Sequence, residues 1–373
     1  MESLEYYLLL VAIMALGVLM PQGAKNRKQY IVTMAVLHSL LSGLRHQYLT
    51  GDMQSYCYKY WRTLNEGWFS DELFQEGRNF GFNWLLKFFS TLSDGEFQVF
   101  LIAVAIFIEV VVAYLIYKYS PLPWLSFLVW NCMGFYTFGF SAIKQSIAMG
   151  FIMIAFVGIM EEKPKKFALF TILAGFIHAP ALIFVPAYFL SKQKFTLRTL
   201  IIYICSAAII FINKNSIVEL LREFYYEDKA FGSDAELGGR FFLIVLFIIA
   251  GFALKGFNGK YFSKVANLIV VAAVLQMFSG FDNVFTRLTD YYLQFLIVFI
   301  PLSFTDYKDE KLTGVNEGIS LDVPEKLKLI IIILLVVFLI WFYNKCYIDV
   351  DIIPVDDYTN YRFFWEEWGV DVS

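Results

Sequence analysis

The chain has 373 residues, of which 59% are hydrophobic, 19% aromatic and only 17% charged, with a formal net charge of −3. Soluble domains carry about a quarter charged residues, so this composition excludes an ordinary water-soluble domain and predicts a polytopic helical membrane protein. The net charge says little about partners, because the distribution of lysine and arginine matters more in a membrane protein than their sum. The four cysteines share no short spacing, which argues against a disulfide framework and a zinc site.

Apolar segments long enough to cross the bilayer recur from end to end. A helix needs about 20 residues to span roughly 30 Å of hydrocarbon. We therefore predict an all-α integral membrane bundle of about ten to twelve membrane segments, with one transmembrane domain over residues 1–373. The spans lie near residues 5–20, 28–44, 96–117, 121–140, 141–160, 197–213, 240–257, 261–279, 288–303 and 327–345. No basic region precedes the first span and no small-residue cleavage site follows it, so we expect it to remain in the mature protein.

Basic loops predict the orientation of these spans. Lysines and arginines follow the first, third and fifth spans and recur at 255–264. Because basic loops prefer the cytoplasm, we expect the N-terminus to lie outside. The same rule places the loop 304–326 in the cytoplasm. It places three regions outside, namely 45–95, the loop 214–239 and the acidic, aromatic C-terminal tail 346–373.

Residues 166–190 are long enough for one span, yet basic clusters flank both ends. A crossing would place one cluster outside, whereas two half-helices turning at Gly175 to Pro180 would keep both inside. We favour this re-entrant or broken pair, since non-helical backbone at membrane depth is tolerated where protein or a water-filled cavity surrounds it. His178, at the turn, is then expected to face a cavity. A second apolar segment, 79–93, has aromatic residues at near-helical spacing and is predicted to be an interfacial helix.

Charged residues gather on the predicted outer side. Arg45 and Asp52 belong to the first outer region, Lys144 begins a span, and Arg240 and Arg287 flank outer loops. A cation within the apolar layer is costly and usually faces the interior of the bundle. Two helix faces support this arrangement, and together they predict a cationic cavity open to the outside. The faces are formed by His38, Ser42 and Arg45, and by Arg287, Tyr291 and Gln294, each at i, i+4 and i+7.

Each of these signals has a structural alternative. Arg287 and Asp290 are close enough in sequence to form an ion pair. Arg45, Arg240 and Lys144 are placed so that their side chains could reach the lipid headgroups. His178 could instead bond a free carbonyl at the helix break, and the tyrosines and tryptophan of residues 48–61 fit an interfacial aromatic belt.

Four stretches also carry a resemblance, in order from about residue 45 to 301. In the first, GLRHQYLTGDMQSY, Arg45 stands seven residues before Asp52, and Tyr56 follows four residues later. The others are FSAIKQSIAMG with Lys144 and Gln145, AGFIHAPALI with His178, and FTRLTDYYLQFLIVFIP with Arg287 and Tyr291. These stretches, with the aromatic tail YTNYRFFWEEW, resemble the EpsG family of exopolysaccharide polymerases, which are similar in role to the Wzy O-antigen polymerases. The sequence departs from the family at Lys144, where an arginine is usual, and at Ala179-Pro180, where a small polar residue is more typical.

The resemblance implies an enzyme of the outer face of the bacterial cytoplasmic membrane. It would transfer a polyprenyl-diphosphate-linked glycan to the non-reducing end of another lipid-linked repeat unit. The leaving lipid diphosphate is a stable anion, so cationic side chains can stabilise it without a metal or cofactor. We expect catalysis by Asp52 or His178 as the general base. We expect substrate binding by Arg45, Lys144, Gln145, Arg240, Arg287, Tyr56 and Tyr291.

The expected partners are the lipid-linked donor and acceptor, the bilayer and a chain-length regulator, and no nucleic acid. An O-antigen ligase-like transferase would use the same donor, but a long outer loop between late spans is not apparent, since 214–239 is short. A flippase or other transporter would also need a cationic cavity, but no internal repeat is visible. A membrane-bound acyltransferase would pair its histidine with a nearby polar residue, and none is identifiable around His178.

Overall fold

A computed structural model describes residues 4–19, 24–75, 80–225, 237–256, 259–304, 323–348 and 361–366. Helices joined by turns make up the described residues, with one isolated antiparallel bridge, so the predicted all-α class is confirmed. These residues fall into two compact units. The first unit contains the described residues up to Leu182 and from Leu329 onward, and the second those from Ile183 to Lys328. The single transmembrane domain stays a prediction, and each unit is described by itself.

The first unit contains two of the long apolar helices, Phe97–Tyr119 and Ile143–Met160. It comprises α1 (Leu4–Leu19), α2 (Ala24–Gly43), α3 (Gly51–Leu64), α4 (Asp71–Gln75), α5 (Phe80–Leu92), α6 (Phe97–Tyr119), α7 (Pro123–Cys132), α8 (Phe135–Ser141), α9 (Ile143–Met160) and α10 (Pro164–Ile177). Helix α18 (Glu325–Tyr343), which a π-helical turn at Asn344–Ile348 follows, joins this unit from Leu329. Helices α2 and α6 pack closely at Gly43, where an added Cβ would lie 3.2 Å from the Cα of Ile102. A larger residue at position 43 would separate the two helices.

Basic side chains converge at the other end of α2 and α6. The guanidinium of Arg27 donates to the carbonyls of Tyr117 and Ser120, both at 2.8 Å, at the C-terminal end of α6. These carbonyls lack donors within the helix, and their partial negative charge favours a cation.

Glu161, just after α9, forms ion pairs with three lysines at this same end. Lys118 donates to one carboxylate oxygen, and Lys163 and Lys166 lie 3.0 and 3.6 Å from the other. Burial alone would raise the pKa of Glu161, but the hydrogen bonds from Lys118 and Lys163 lower it to about 2. Basic residues that follow the first, third and fifth predicted spans therefore meet at one end of the first unit. That this end faces the cytoplasm remains a prediction.

Two predicted segments are divided in the structure. The span predicted at 121–140 consists of α7 and α8, because Gly134 between them has φ +77°, in the left-handed region that favours glycine. The segment 166–190 is interrupted as predicted: α10 ends at Ile177, and a 3-10 helix, Ala179–Phe184, follows. The helix predicted within 79–93 is α5, and residue 79 lies outside the described residues.

The second unit comprises α11 (Ala187–Leu190), α12 (Leu197–Ile212), α13 (Lys214–Tyr225), α14 (Gly239–Lys255), α15 (Lys260–Gln276), α16 (Asn283–Leu293) and α17 (Leu296–Phe304). The span predicted at 288–303 is thus divided between α16 and α17. Helices α14 and α17 meet at Gly251, where a Cβ would lie 2.5 Å from the ring of Phe299. A buried apolar cluster includes Met277, Phe278 and Phe285.

Three described helices are long and apolar enough to cross a bilayer, namely Phe97–Tyr119, Ile143–Met160 and Glu325–Cys346. Several shorter helices are also apolar. The predicted outer loop 214–239 begins with helix α13, and its residues 226–236 lie outside the described residues. The same holds for 305–322 of the predicted cytoplasmic loop and for 349–360 and 367–373 of the predicted tail.

Candidate functional site

Arg45 is buried in the loop that follows α2, residues 44–50, which we call the arginine loop. Its side chain is only 1% exposed. One terminal nitrogen, Nη1, donates to the carbonyl and hydroxyl oxygens of Ser42, the latter at 3.3 Å, and Nη2 lies 3.5 Å from the carbonyl oxygen of Gly139. The guanidinium carbon lies 4.9 Å from the ring centroid of Phe140. These contacts fix a cation at the end of an apolar helix, where its placement is costly.

The described end of the chain, residues 361–366, pairs with the arginine loop. The backbone N–H of His46 donates to the carbonyl of Arg362 at 2.7 Å, and the N–H of Phe364 donates to the carbonyl of Leu44 at 2.9 Å. These bonds flank the antiparallel bridge between Arg45 and the tail. The two segments therefore lie at the same end of the first unit, as their common predicted side of the membrane requires.

Tyr361 anchors this pairing. Its hydroxyl donates to the carbonyl of Leu41 at 2.6 Å, in the last turn of α2, where carbonyls lack donors within the helix. Its ring makes an edge-on contact with Tyr6, at 5.9 Å between centroids, and Tyr6 in turn lies 6.3 Å from the ring of Phe140, beneath the Arg45 guanidinium. The sequence identified the tail as aromatic, but not its contact with a loop more than 300 residues away.

Asp52 and Tyr56 project from α3, which starts at the end of the arginine loop. Asp52 is exposed and lies in the first turn, where the helix dipole favours a carboxylate. Thr50, which precedes the helix, donates its hydroxyl to the carbonyl of Phe140 at 3.4 Å. The start of α3 is thereby held beside the same segment that contacts Arg45.

Lys144 and Gln145 occupy the first turn of α9, immediately after α8. The Nζ atom of Lys144 lies 6.0 Å from the ring centroid of Phe82, and the ring of Tyr56 packs edge-on against Phe82 at 5.6 Å. Phe82 therefore joins the predicted residues of α3 and α9. Gln145 is buried, with 3% of its surface exposed.

His178 follows the last residue of α10 and has extended backbone, with φ −147° and ψ 100°. The helix end is packed against the start of α5: a Cβ on Gly81 would lie 2.5 Å from the carbonyl oxygen of Phe176, and the rings of Phe80 and Phe176 are 4.4 Å apart. Because Phe82 follows Gly81, α5 connects the histidine turn to the ring that contacts Lys144. His178 is partly exposed.

The remaining predicted residues belong to the second unit. Arg240 forms an ion pair with the buried Asp290, the carboxylate that the structural alternative pairs with Arg287. Arg287 is exposed. Tyr291 is fully buried, like Arg45 of the first unit. The substrate-binding roles of these residues stay predictions.

His46 is a further residue of the arginine loop that the sequence analysis passed over. It is 8% exposed, and the backbone N–H of Tyr48 donates to its Nδ1 at 3.2 Å. Burial and, after it, the charge of Arg362 lower the pKa of His46, while Glu366 opposes this change. These effects favour the neutral form of the ring, in which Nδ1 accepts the hydrogen bond from Tyr48. Its position directly after Arg45 was the available signal in the sequence.

The first unit thus brings together a buried guanidinium, an ammonium group, an exposed carboxylate and aromatic rings. Such a set can bind an anionic group and a sugar and can accept a proton from a hydroxyl. No cluster of three or more metal-ligating side chains occurs among the described residues.

Comparison with known proteins assigns a family. The sequence model of the EpsG family matches residues 28–363. No curated protein and no solved structure matches the chain. The family match begins in α2 and ends at Phe363, the residue bridged to Arg45, so it includes both partners of the loop–tail pairing. Because the match covers nearly the whole sequence, the chain belongs to the EpsG family.

Proposed function

We propose that this protein is a membrane glycosyltransferase that polymerises oligosaccharide repeat units. It transfers a glycan from polyprenyl diphosphate to the non-reducing end of another lipid-linked repeat unit, on the outer face of the bacterial cytoplasmic membrane. Membership of the EpsG family suggests a Wzy-like polysaccharide polymerase. The lipid-linked donor and acceptor are then its substrates, and a chain-length regulator is a further candidate partner.

One observation carries the proposal: Arg45, the start of α3 and the start of α9 converge at one end of the first unit. Arg45 and Thr50 both contact the segment at Gly139 and Phe140, and this segment leads directly into the turn that bears Lys144. Arg45 and Asp52 thereby share one region with Lys144, which is distant from both in the chain. If these charged residues had only structural roles, they would not need to lie in the same region.

Arg45 and Lys144 are suited to bind the diphosphate, with Gln145 as a neutral donor. As the glycosidic bond breaks, negative charge grows on the leaving diphosphate, and fixed positive charge stabilises that anion. The buried guanidinium of Arg45 is held by Ser42 and Phe140, so its positive charge is fixed in position before substrate binds. We propose on this basis that the reaction needs no metal.

The acceptor hydroxyl must lose a proton, and Asp52 is our first candidate for the base. It is exposed and stands two residues after Thr50, so it lies beside the proposed diphosphate site. His178 is the second candidate, on the turn packed against α5. Tyr56 offers an aromatic face to a sugar. Arg240, Arg287 and Tyr291 of the second unit are proposed to bind other parts of the substrates.

Deletion and complementation test the proposal. The deletion strain receives wild type, Arg45→Lys, Lys144→Met, Lys144→Arg or Asp52→Asn, and surface glycan is resolved on gels. We expect deletion to reduce a ladder to single surface-exposed repeats. Arg45→Lys keeps the charge but loses the planar donor fork, so we expect a loss of about 100-fold. Lys144→Arg should retain the ladder, whereas Lys144→Met should lose it.

Matched controls separate site effects from general damage. Lys165→Met removes an exposed cation at the opposite end of the first unit, and Asp71→Asn removes an exposed carboxylate from the first turn of α4. Both should leave the ladder intact. Accumulation of repeats on the inner face in the deletion strain would instead indicate a transporter. A normal ladder of lipid-linked polymer that fails to reach a final acceptor would indicate a ligase.

A further inference from the structure

Glu109 is a buried carboxyl group in the middle of α6, within the otherwise apolar run FLIAVAIFIEVVVAYLIY. Its side chain is 2% exposed. One oxygen, Oε1, accepts a hydrogen bond from the indole N–H of Trp130 at 3.3 Å. The other, Oε2, has no hydrogen-bond partner among the described residues. An ionisable group at such a depth is costly and marks a specific role.

Glu109 also lines a small cavity. Its volume is about 10 Å³, and Glu109, Ser42, Gly139 and Ser146 contribute to its lining. The hydroxyl of Ser146 is buried and likewise has no hydrogen-bond partner among the described residues. A cavity of roughly 10–15 Å³ holds one water molecule when two or more polar groups surround it. Size and polarity therefore both match a single water.

The charge state follows from the surroundings of Glu109. Among the described residues, none forms an ion pair with it, and Trp130 is its only hydrogen-bond donor. A lone carboxylate in an apolar interior is so unfavourable that the group takes up a proton. A neutral carboxyl group both donates and accepts a hydrogen bond, as does a serine hydroxyl. Together they can satisfy a water molecule.

The same cavity borders the groups that hold Arg45. Arg45 donates to the carbonyl and hydroxyl oxygens of Ser42 and to the carbonyl oxygen of Gly139. Ser42 and Gly139 line the same cavity as Glu109. We propose that neutral Glu109 and Ser146 bind one buried water molecule that supports Ser42 and Gly139 and so positions the guanidinium of Arg45. Glu109 is then a positioning residue for the proposed diphosphate site. Its effect on activity rests on the proposed function, but the water site itself does not.

Infrared spectroscopy of the purified full-length protein tests the water site independently of activity. Wild type should show the C=O band of a protonated carboxyl group, which Glu109→Gln removes. Ser146→Ala should shift this band, and exchange of H2O for H2(18)O should shift the O–H band of the bound water. Absence of the acid band would show that Glu109 is ionised. An acid band unchanged in Ser146→Ala, with no isotope-sensitive water band, would show that no water is bound. Either result overturns the proposal.

Polymer synthesis tests the positioning role. Glu109→Gln keeps a neutral group of the same shape with a donor and an acceptor, so we expect activity within about threefold of wild type and an unchanged pH profile. Glu109→Leu removes the polar group, and we expect a loss of about tenfold or more. An equal loss in both variants would show that Glu109 transfers a proton or acts as a charge. Wild-type activity in Glu109→Leu would show that it positions nothing.

These outcomes also separate the two proposals. If the acid and water bands behave as expected but wild type makes no polymer, the water site stands and the proposed function fails. If Glu109→Leu does not accumulate in the membrane, Glu109→Gln and Ser146→Ala still decide the result by their spectra.

Discussion

Tyr361 should stabilise the arginine loop through a single hydroxyl group and a buried ring. In Tyr361→Phe, the carbonyl of Leu41 loses the donor that lies 2.6 Å away, while the ring contact with Tyr6 remains. A neutral hydrogen bond contributes about 0.5–1.5 kcal/mol net to stability. We therefore expect the free energy of unfolding to fall by about 1 kcal/mol. The polymer ladder should weaken, because Arg45 is bridged to the segment that Tyr361 anchors.

Tyr361→Ala also removes the ring, which is 8% exposed. Truncation of a buried aromatic side chain to alanine costs about 3–5 kcal/mol. We expect a clearly lower thermal midpoint in detergent than for Tyr361→Phe, and loss of most of the ladder in cells. The order of stability and of activity should be the same: wild type, then Tyr361→Phe, then Tyr361→Ala.

Phe364→Ala is the matched control. This ring is 45% exposed, and the hydrogen bond that the residue makes to Leu44 comes from its backbone N–H, which the substitution keeps. Its stability and ladder should remain close to wild type. The reasoning is refuted if Tyr361→Ala is as stable and active as wild type, or if Phe364→Ala is as damaging as Tyr361→Ala.

Three further substitutions test packing and charge. Gly81→Ala should destabilise the first unit by about 1–3 kcal/mol, because its Cβ would lie 2.5 Å from a backbone oxygen of α10. Gly67→Ala, whose Cβ would have its nearest neighbour at 4.0 Å, should have little effect. Equal thermal midpoints for the two variants would contradict this reasoning. Arg240→Ala removes the ion-pair partner of the buried Asp290 and should cost about 3–5 kcal/mol. Asp290→Asn should restore most of this loss in the double variant, and no rescue would refute the ion pair. The pKa of Glu161 is about 2 in the folded protein and 4.5 ordinarily, so its ion pairs stabilise the fold above pH 4.5 and lose this effect as the pH falls towards 2. After screening by solvent, we expect the stabilisation to be about 1–2 kcal/mol. The thermal midpoints of wild type and Glu161→Gln should therefore converge as the pH falls over this range.

The sequence was informative where the physical signal is local. Apolar runs predicted most of the helices, and basic flanks on both sides of 166–190 predicted the interruption found at His178. The spacing of Arg45, Asp52 and Tyr56 was also local, because one loop and the first turns of one helix contain all three. Charge and hydropathy determine such features over a few residues, so they can be read without knowing the rest of the fold.

Features that depend on distant contacts or on single residues were missed. The run at 121–140 is continuously apolar, so composition did not show that the backbone of Gly134 divides it. Glu109 was passed over as an isolated acid in a long apolar run, and only packing reveals its partner Trp130 and its cavity. The contact of Tyr361 with α2 joins residues that are 320 positions apart in the chain, and no local pattern specifies it.

Reconstituted synthesis would test the proposed function most directly. The purified full-length protein is placed in liposomes with the lipid-linked repeat unit of its source organism and EDTA, and the products are separated by length. We expect lipid-linked chains of two or more repeats, with one polyprenyl diphosphate released per linkage, and no such chains with Arg45→Lys. Transfer of repeats across the bilayer without formation of longer chains, or a strict requirement for added divalent metal, would contradict the account.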